Sequence, residues 1–151
     1  MNEMLLYTAT VLMWIVFVFN LWQRFFMMPV WFGNPPQSFE VLRRHNKNIR
    51  PYRILVTILL VISGYAALLF NWPFEEIRNH ILAALVLYLF AGIMNNVFFS
   101  REITAFAAIP ADIPPTPLLV RRTDRWVKRT LLRDLLQLFA AISFTMACSN
   151  L

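Results

Sequence analysis

Residues 126–137 read WVKRTLLRDLLQ, and this stretch decides the fold because it carries basic residues straight into a long apolar run. As a helix it places Trp126, Thr130, Arg133 and Gln137 on one stripe, at spacings of four, three and four. That stripe is polar, whereas the next residues, LFAAISFTMAC, are mostly apolar. A helix that opens with this mixture and continues apolar has the pattern of a membrane span starting at an interface.

The rest of the chain agrees. It is 59% hydrophobic with a mean hydropathy of +0.57, above the apolar share of an ordinary soluble domain. Met4 begins an apolar run reaching Met28, long enough at 1.5 Å per residue to cross a hydrocarbon core of about 30 Å. With Glu3 and no Lys or Arg before it, the run lacks the basic start and small-residue cleavage site of a signal peptide, so it is expected to be retained. The expected fold is all-α, an integral membrane bundle of four transmembrane helices forming one domain over residues 1–151. The predicted spans are about 4–28, 52–70, 80–99 and 131–150, with loops at 29–51 and 100–130. No internal repeat is evident.

Charge sets the expected orientation. The first loop and its flanks hold Arg24, Arg43, Arg44, Lys47, Arg50 and Arg53; the third holds Arg101, Arg121, Arg122, Arg125, Lys128, Arg129 and Arg133; the second holds only Arg78. Six and seven against one places both long loops in the cytoplasm and both termini outside, as in a bacterial cytoplasmic membrane. In a soluble chain the net charge of +6 and pI near 10.3 would suggest nucleic acid. Here they read as topology signals and as contacts with the bilayer, including its anionic lipids, and no nucleic acid partner is expected.

Both long loops should contain interfacial helical segments. Ser38 is a candidate cap for a short helix through Val41, Leu42 and Arg44 that Asn46 would break, and Thr116-Pro117 is a candidate cap and first residue for another lying on the membrane before residue 131. The five tryptophans sit mostly near span ends, and Trp126 is expected to be an interfacial anchor.

Polar residues within the spans mark the candidate site. Helix one ends with Asn20, Gln23 and Arg24, helix three with Asn95 and Asn96, and helix four begins with Arg133, Asp134 and Gln137. All lie in the cytoplasmic half, and the stripe Ala84, Tyr88, Ala91, Asn95 puts small residues and an amide on one face. The candidate ligand-binding set is therefore Asn20, Arg24, Asn95, Asn96, Arg133 and Gln137, with Arg24 or Arg133 meeting an anionic or carbonyl-bearing ligand. The alternative is structural: Arg24 snorkels to headgroups, Arg133 pairs with Asp134, and the amides join helices.

Other chemistries lack their atoms. His45 and His80 fall at opposite ends of the predicted bundle, so no metal or haem is expected between them, and the single cysteine, Cys148, excludes a thiol pair within the chain. Gly33, Gly64 and Gly92 are isolated, so no phosphate loop is present. Glu75, Glu76 and Asp112 are expected in solvated loops. No cofactor is expected. His45, within RRHNKN, is either solvated or a proton-transfer group at the pocket mouth.

Met28-Pro29, Pro51-Tyr52 and the trio Trp126, Thr130, Arg133 together resemble the anthrone oxygenase-like family of small four-helix membrane proteins, in which a His or Asn is common where Thr130 stands. The resemblance implies cofactor-independent oxygenation of a polycyclic phenol. Two functions from different classes are thus in play. One is a non-enzymatic accessory subunit with a polar pocket, packing on a larger membrane complex or binding an apolar small molecule; the other is an oxygenase of that type.

Overall fold

The computed structural model describes residues 3–151, apart from the side chains of Asn46 and Arg50. Met1 and Asn2, on which the expected placement of the N-terminus depends, lie outside the described residues. In chain order the elements are α1 (Glu3–Trp22), a π-helical segment π1 (Gln23–Met27), α2 (Met28–Phe32), α3 (Phe39–Phe70), α4 (Glu75–Met94), a second π-helical segment π2 (Asn95–Phe99), α5 (Ser100–Ala107) and α6 (Pro117–Ser149). The described residues contain no strand. Four helical stretches are long and apolar enough to cross a membrane: Glu3–Phe32, Pro51–Phe70, Glu75–Ala107 and Pro117–Ser149.

The helices run further than the sequence suggests. Neither Asn46 nor Pro51 breaks α3, which is continuous over 32 residues. Proline removes one backbone donor, and both Pro51 and Lys47, whose carbonyl would have accepted from it, are exposed. Ser38 does not cap α3 with its side chain; its hydroxyl donates instead to the Trp31 carbonyl at 2.6 Å, tying the loop back to α2. At α6 the expected start is observed, with the Thr116 hydroxyl accepting from the Leu119 N–H at 3.2 Å and Pro117 in the first turn. The expected bend near residue 131 is absent, and α6 is one helix of 33 residues. Glu75 and Glu76 lie in the first turn of α4 rather than in a loop, where they favour the helix dipole.

Packing runs along narrow buried stripes. In α1 the buried residues are Leu6, Ala9, Met13 and Phe17, while Tyr7, Val11, Ile15 and Val18 are exposed although apolar. An all-round apolar helix with one buried stripe is what a helix in an apolar medium looks like. Along α6 the stripe is continuous but changes character, from Thr123, Trp126, Thr130, Arg133 and Gln137 to Ala140, Phe144 and Ala147. It packs on α1 and α4, and α3 packs mainly on α1.

Two apolar clusters result, one at each end. The far cluster joins Leu6, Met13, Leu60, Ile81 and Phe144 with alanines 9, 67, 84, 140, 141 and 147, whose small side chains let the helices approach. The second, at the end carrying the long connections, is aromatic: Trp31, Phe39, Phe99, Phe106 and Trp126, with Met28 and Leu42.

Gly64 is where α3 comes close to its neighbours. A Cβ there would lie 3.0 Å from Leu85 Cδ2 and 3.3 Å from Phe144 Cζ, whereas one at Gly92 would meet nothing within 4 Å. Gly64→Leu is therefore expected to overpack the far cluster, at about 1–3 kcal/mol, and to lower the unfolding midpoint of purified protein. Gly92→Ala should leave the midpoint unchanged or higher, since the added methyl meets no neighbour and alanine is the better helix former.

Candidate functional site

Between the two clusters lies a polar layer built around Asp134. Its Oδ2 accepts from Arg24 Nε at 2.6 Å and its Oδ1 from Arg133 Nη2 and Nε at 2.7 and 3.0 Å. The carboxylate and the Arg133 guanidinium are both buried, and Arg24 is only 14% exposed. One carboxylate thus faces two guanidiniums, and the cluster keeps a net positive charge. Arg24 also donates from Nη2 to the Thr130 hydroxyl at 2.8 Å and from Nη1 to the Val127 carbonyl at 3.3 Å, while that hydroxyl donates to the same carbonyl at 2.7 Å. Asn20 Nδ2 donates to Gln137 Oε1 at 2.8 Å. These bonds join α1 and π1 to α6 in antiparallel register, continued at the far end by Trp14 with Thr145 and Thr10 with Cys148.

Both π-helical segments fall at this depth. Met28 N–H bonds to Gln23 O and Ser100 N–H to Asn95 O, each spanning five residues instead of four. A wider turn shifts the helical phase of the residues beyond it. Gln23 at the start of the first segment and Met28 and Trp31 just beyond it are all buried, at 5%, 3% and 3% exposure.

Of the six sequence-derived candidates, five meet at this layer. Asn20, Arg24, Arg133 and Gln137 are hydrogen-bonded within it, and Asn95 Oδ1 lies 3.5 Å from Arg133 Nη1, a long contact. Asn96 is exposed and bonds to Gly92 O of its own helix. Arg24 does not snorkel outward, because Asp134 and Thr130 hold it. Trp126 is not an interfacial anchor: it is 5% exposed within the aromatic cluster, against Phe32 and Phe99. The stripe that carries Arg133 faces inward, and Trp126 lies on it. Residues that sequence reasoning leaves out of the site are Trp31, Ser100 and Arg53, while Asp134, expected there as a pairing partner of Arg133, does pair with it.

Two spaces open on this layer. The larger is a cleft of about 470 Å³ between α3 and α4, walled by Phe19 and Asn20 of α1, Tyr52 and Thr57 of α3, Tyr88 and Gly92 of α4, and Arg133 and Gln137 of α6. It exists because α3 meets α4 at few points: the Gly64 approach and a 3.3 Å bond from Tyr88 Oη to Thr57 Oγ1. The smaller is a chamber of about 40 Å³ on the aromatic side, bordered by Gln23, Trp31, His45, Asn95, Ser100, Trp126 and Arg133. Arg53, Ile49, Asn95, Ser100 and Arg133 border both. Among the described residues no Asp or Glu lines either space.

His45 sits at the chamber wall, 3.5 Å from Gln23 Nε2 and with its ring 5.0 Å from that of Trp31. Burial, and secondarily the charge on Arg53, hold its pKa below the ordinary 6.5. It is neutral near pH 7. Among the described residues no group of His, Cys, Asp and Glu is placed to hold a metal ion.

Fold and site together define a class: a four-helix chain with spans of membrane length and a positively charged, donor-rich site between an alanine-rich and an aromatic cluster. Comparison with protein families, curated proteins and solved structures finds no match for the chain.

Removing the shared carboxylate leaves two guanidiniums facing each other, so Asp134→Asn should cost about 3–5 kcal/mol of stability. Adding Arg24→Met should recover part of that loss, as unfolding midpoints of the single and double variants would show. His45 gives a pH dependence. With its folded pKa lowered, the unfolded chain binds more protons between that value and 6.5, so stability falls as pH drops through this window. A His45→Gln variant should lose this acid sensitivity.

Proposed function

We propose that the chain is an integral membrane protein that binds a small amphiphilic molecule from the surrounding lipid in the cleft between α3 and α4, with its polar end toward Arg133. The long connections and the basic residues lie on the cytoplasmic side, which rests on the six-and-seven-against-one distribution of Lys and Arg. The observation that carries the binding function is the cleft itself. Its volume of about 470 Å³ lies within the usual range for ligand sites, its walls are mostly apolar, and a fixed cation stands at one end.

An apolar seam open between two helices would be filled by lipid tails in any case. A buried guanidinium at its inner end would not be needed for that, and it makes the seam selective. The exposed apolar faces of the helices are accounted for by lipid contact alone, so they add nothing to an accessory-subunit role. The oxygenase reaction implied by the resemblance would need a group to take the phenolic proton, and neutral His45 at the chamber wall is the residue that favours it as a second function.

The test is mass spectrometry of amphiphiles that co-purify with the intact protein in a mild detergent. One predominant species at about one per chain is expected, depleted in a Gly92→Leu variant, whose side chain enters the cleft where no atom lies within 4 Å of the Cβ. Wild-type and variant protein carrying the same unselective lipid mixture would rule the function out.

A further inference from the structure

The small chamber contains an imbalance that the cleft alone does not explain. Trp31 and Trp126 are 3% and 5% exposed, and both indole Nε1 atoms are buried without a hydrogen-bond partner. A buried N–H without an acceptor is costly, and native structures rarely leave one unsatisfied. Here there are two, on different helices, and both residues are among those that border the same chamber. Arg133, in the same wall, has five N–H groups. Its Nε–H and one Nη2–H reach Asp134, one Nη1–H makes the long contact to Asn95, and two remain. The Asn95 and Gln23 amides and the Ser100 hydroxyl add further donors, with the two amide oxygens as acceptors in the same wall.

Donors therefore outnumber acceptors, the charged side chains in the wall are positive, and no described carboxylate lines it. Such a chamber suits an anion. Its size narrows the choice. A water-sized atom needs roughly 10–15 Å³ of such space, so about 40 Å³ takes on the order of three atoms. A carboxylate has three heavy atoms, and its two oxygens offer about four acceptor sites; a phosphate has five.

We propose that this chamber binds the carboxylate of a long-chain acid whose hydrocarbon tail lies in the adjoining cleft. The Trp31 and Trp126 indole N–H groups and Arg133 donate to the carboxylate oxygens. The proposal rests on the cleft being a ligand site, and adds the head group that the site selects.

The experiment uses full-length protein in detergent. Quenching of tryptophan emission by dibromostearate reports binding, and unlabelled stearate, stearyl alcohol, methyl stearate and acyl-matched lysophosphatidate compete. Stearate is expected to compete at least about tenfold better than the alcohol or ester, because hydrogen bonds to a charged acceptor are stronger than those to a neutral one. Trp126→Phe and Trp31→Phe keep a ring in place and remove one N–H; each should weaken stearate by about five- to tenfold and leave the alcohol unchanged.

Equal competition by acid, alcohol and ester would overturn the carboxylate proposal while cleft binding stands. Preference for lysophosphatidate would overturn it in favour of a phosphate head group. Phe variants that bind stearate as the wild type does would remove the chamber as its seat. Quenching that none of the four compounds reverses would remove the cleft as well.

Discussion

Everything at the loop-bearing end depends on how one buried carboxylate is shared. Asp134 is 3% exposed and accepts from Arg24 of one helix and Arg133 of its own. Withdrawing a charge from water costs several kcal/mol per ion, and attraction offsets this only when geometry is good and the remaining hydrogen-bonding groups are satisfied. For Arg24 both conditions hold, since Asp134, Thr130 and the Val127 carbonyl each accept from it. Arg24 is therefore a structural cation that fixes π1 against α6. Arg133 is different. Its guanidinium lies with Cζ 5.6 Å from the Phe99 ring centroid and keeps N–H groups without acceptors. Two arginines of equal charge thus divide the work, one holding helices together and one facing open space.

The π-helical segments explain how this layer is assembled from helices that are otherwise regular. Gln23, at the start of the first wide turn, and Met28 and Trp31, just beyond it, are all buried. One wide turn at Gln23–Met27 changes the phase between the polar layer and the aromatic cluster. A second wide turn at Asn95–Phe99 lies at the same depth, with Phe99 buried on the aromatic side of the layer. Wide turns of this kind cost regular hydrogen bonding and are found frequently at functional sites. Their occurrence at one depth in two helices fits a layer that binds as well as packs.

What the sequence discloses, and what it hides, divides along the same line. The spans and the stripe Trp126, Thr130, Arg133, Gln137 are legible because apolar length and helical period act within one segment. So is the meeting of Asn20 and Arg24 with α6, since antiparallel helices with polar residues at equal depth have few other partners for them. The wide turns at Gln23 and Asn95 are not legible, because no residue type in QRFFM or NNVFF marks them. The burial of Trp126 is hidden for a related reason: tryptophan near a span end normally anchors at the interface, and only the tertiary positions of Phe32 and Phe99 cover it. The run of α3 through Asn46 and Pro51 is hidden because those residues act locally as breakers, while the exposure of Pro51 and Lys47, which spares a buried unpaired carbonyl there, is tertiary. The cleft is hidden most completely, since it is an absence of contact between α3 and α4.

That absence connects the structural charge to the proposed ligand. The far ends of α3 and α4 are held together at Gly64, where the missing side chain lets Leu85 and Phe144 come close to the backbone. Near the polar layer Tyr52, Arg53 and Thr57 of α3 line the gap instead. The apolar side chains around the gap make it suited to a hydrocarbon tail. The uncompensated positive charge lies at the inner end of this gap because Asp134 can neutralise only one of the two arginines it binds. An anionic head group would supply the second negative charge, and it would do so beside two indole donors that the protein itself leaves unpaired. Charge balance and hydrogen-bond balance, which are independent requirements, thus point to the same kind of molecule in the same place.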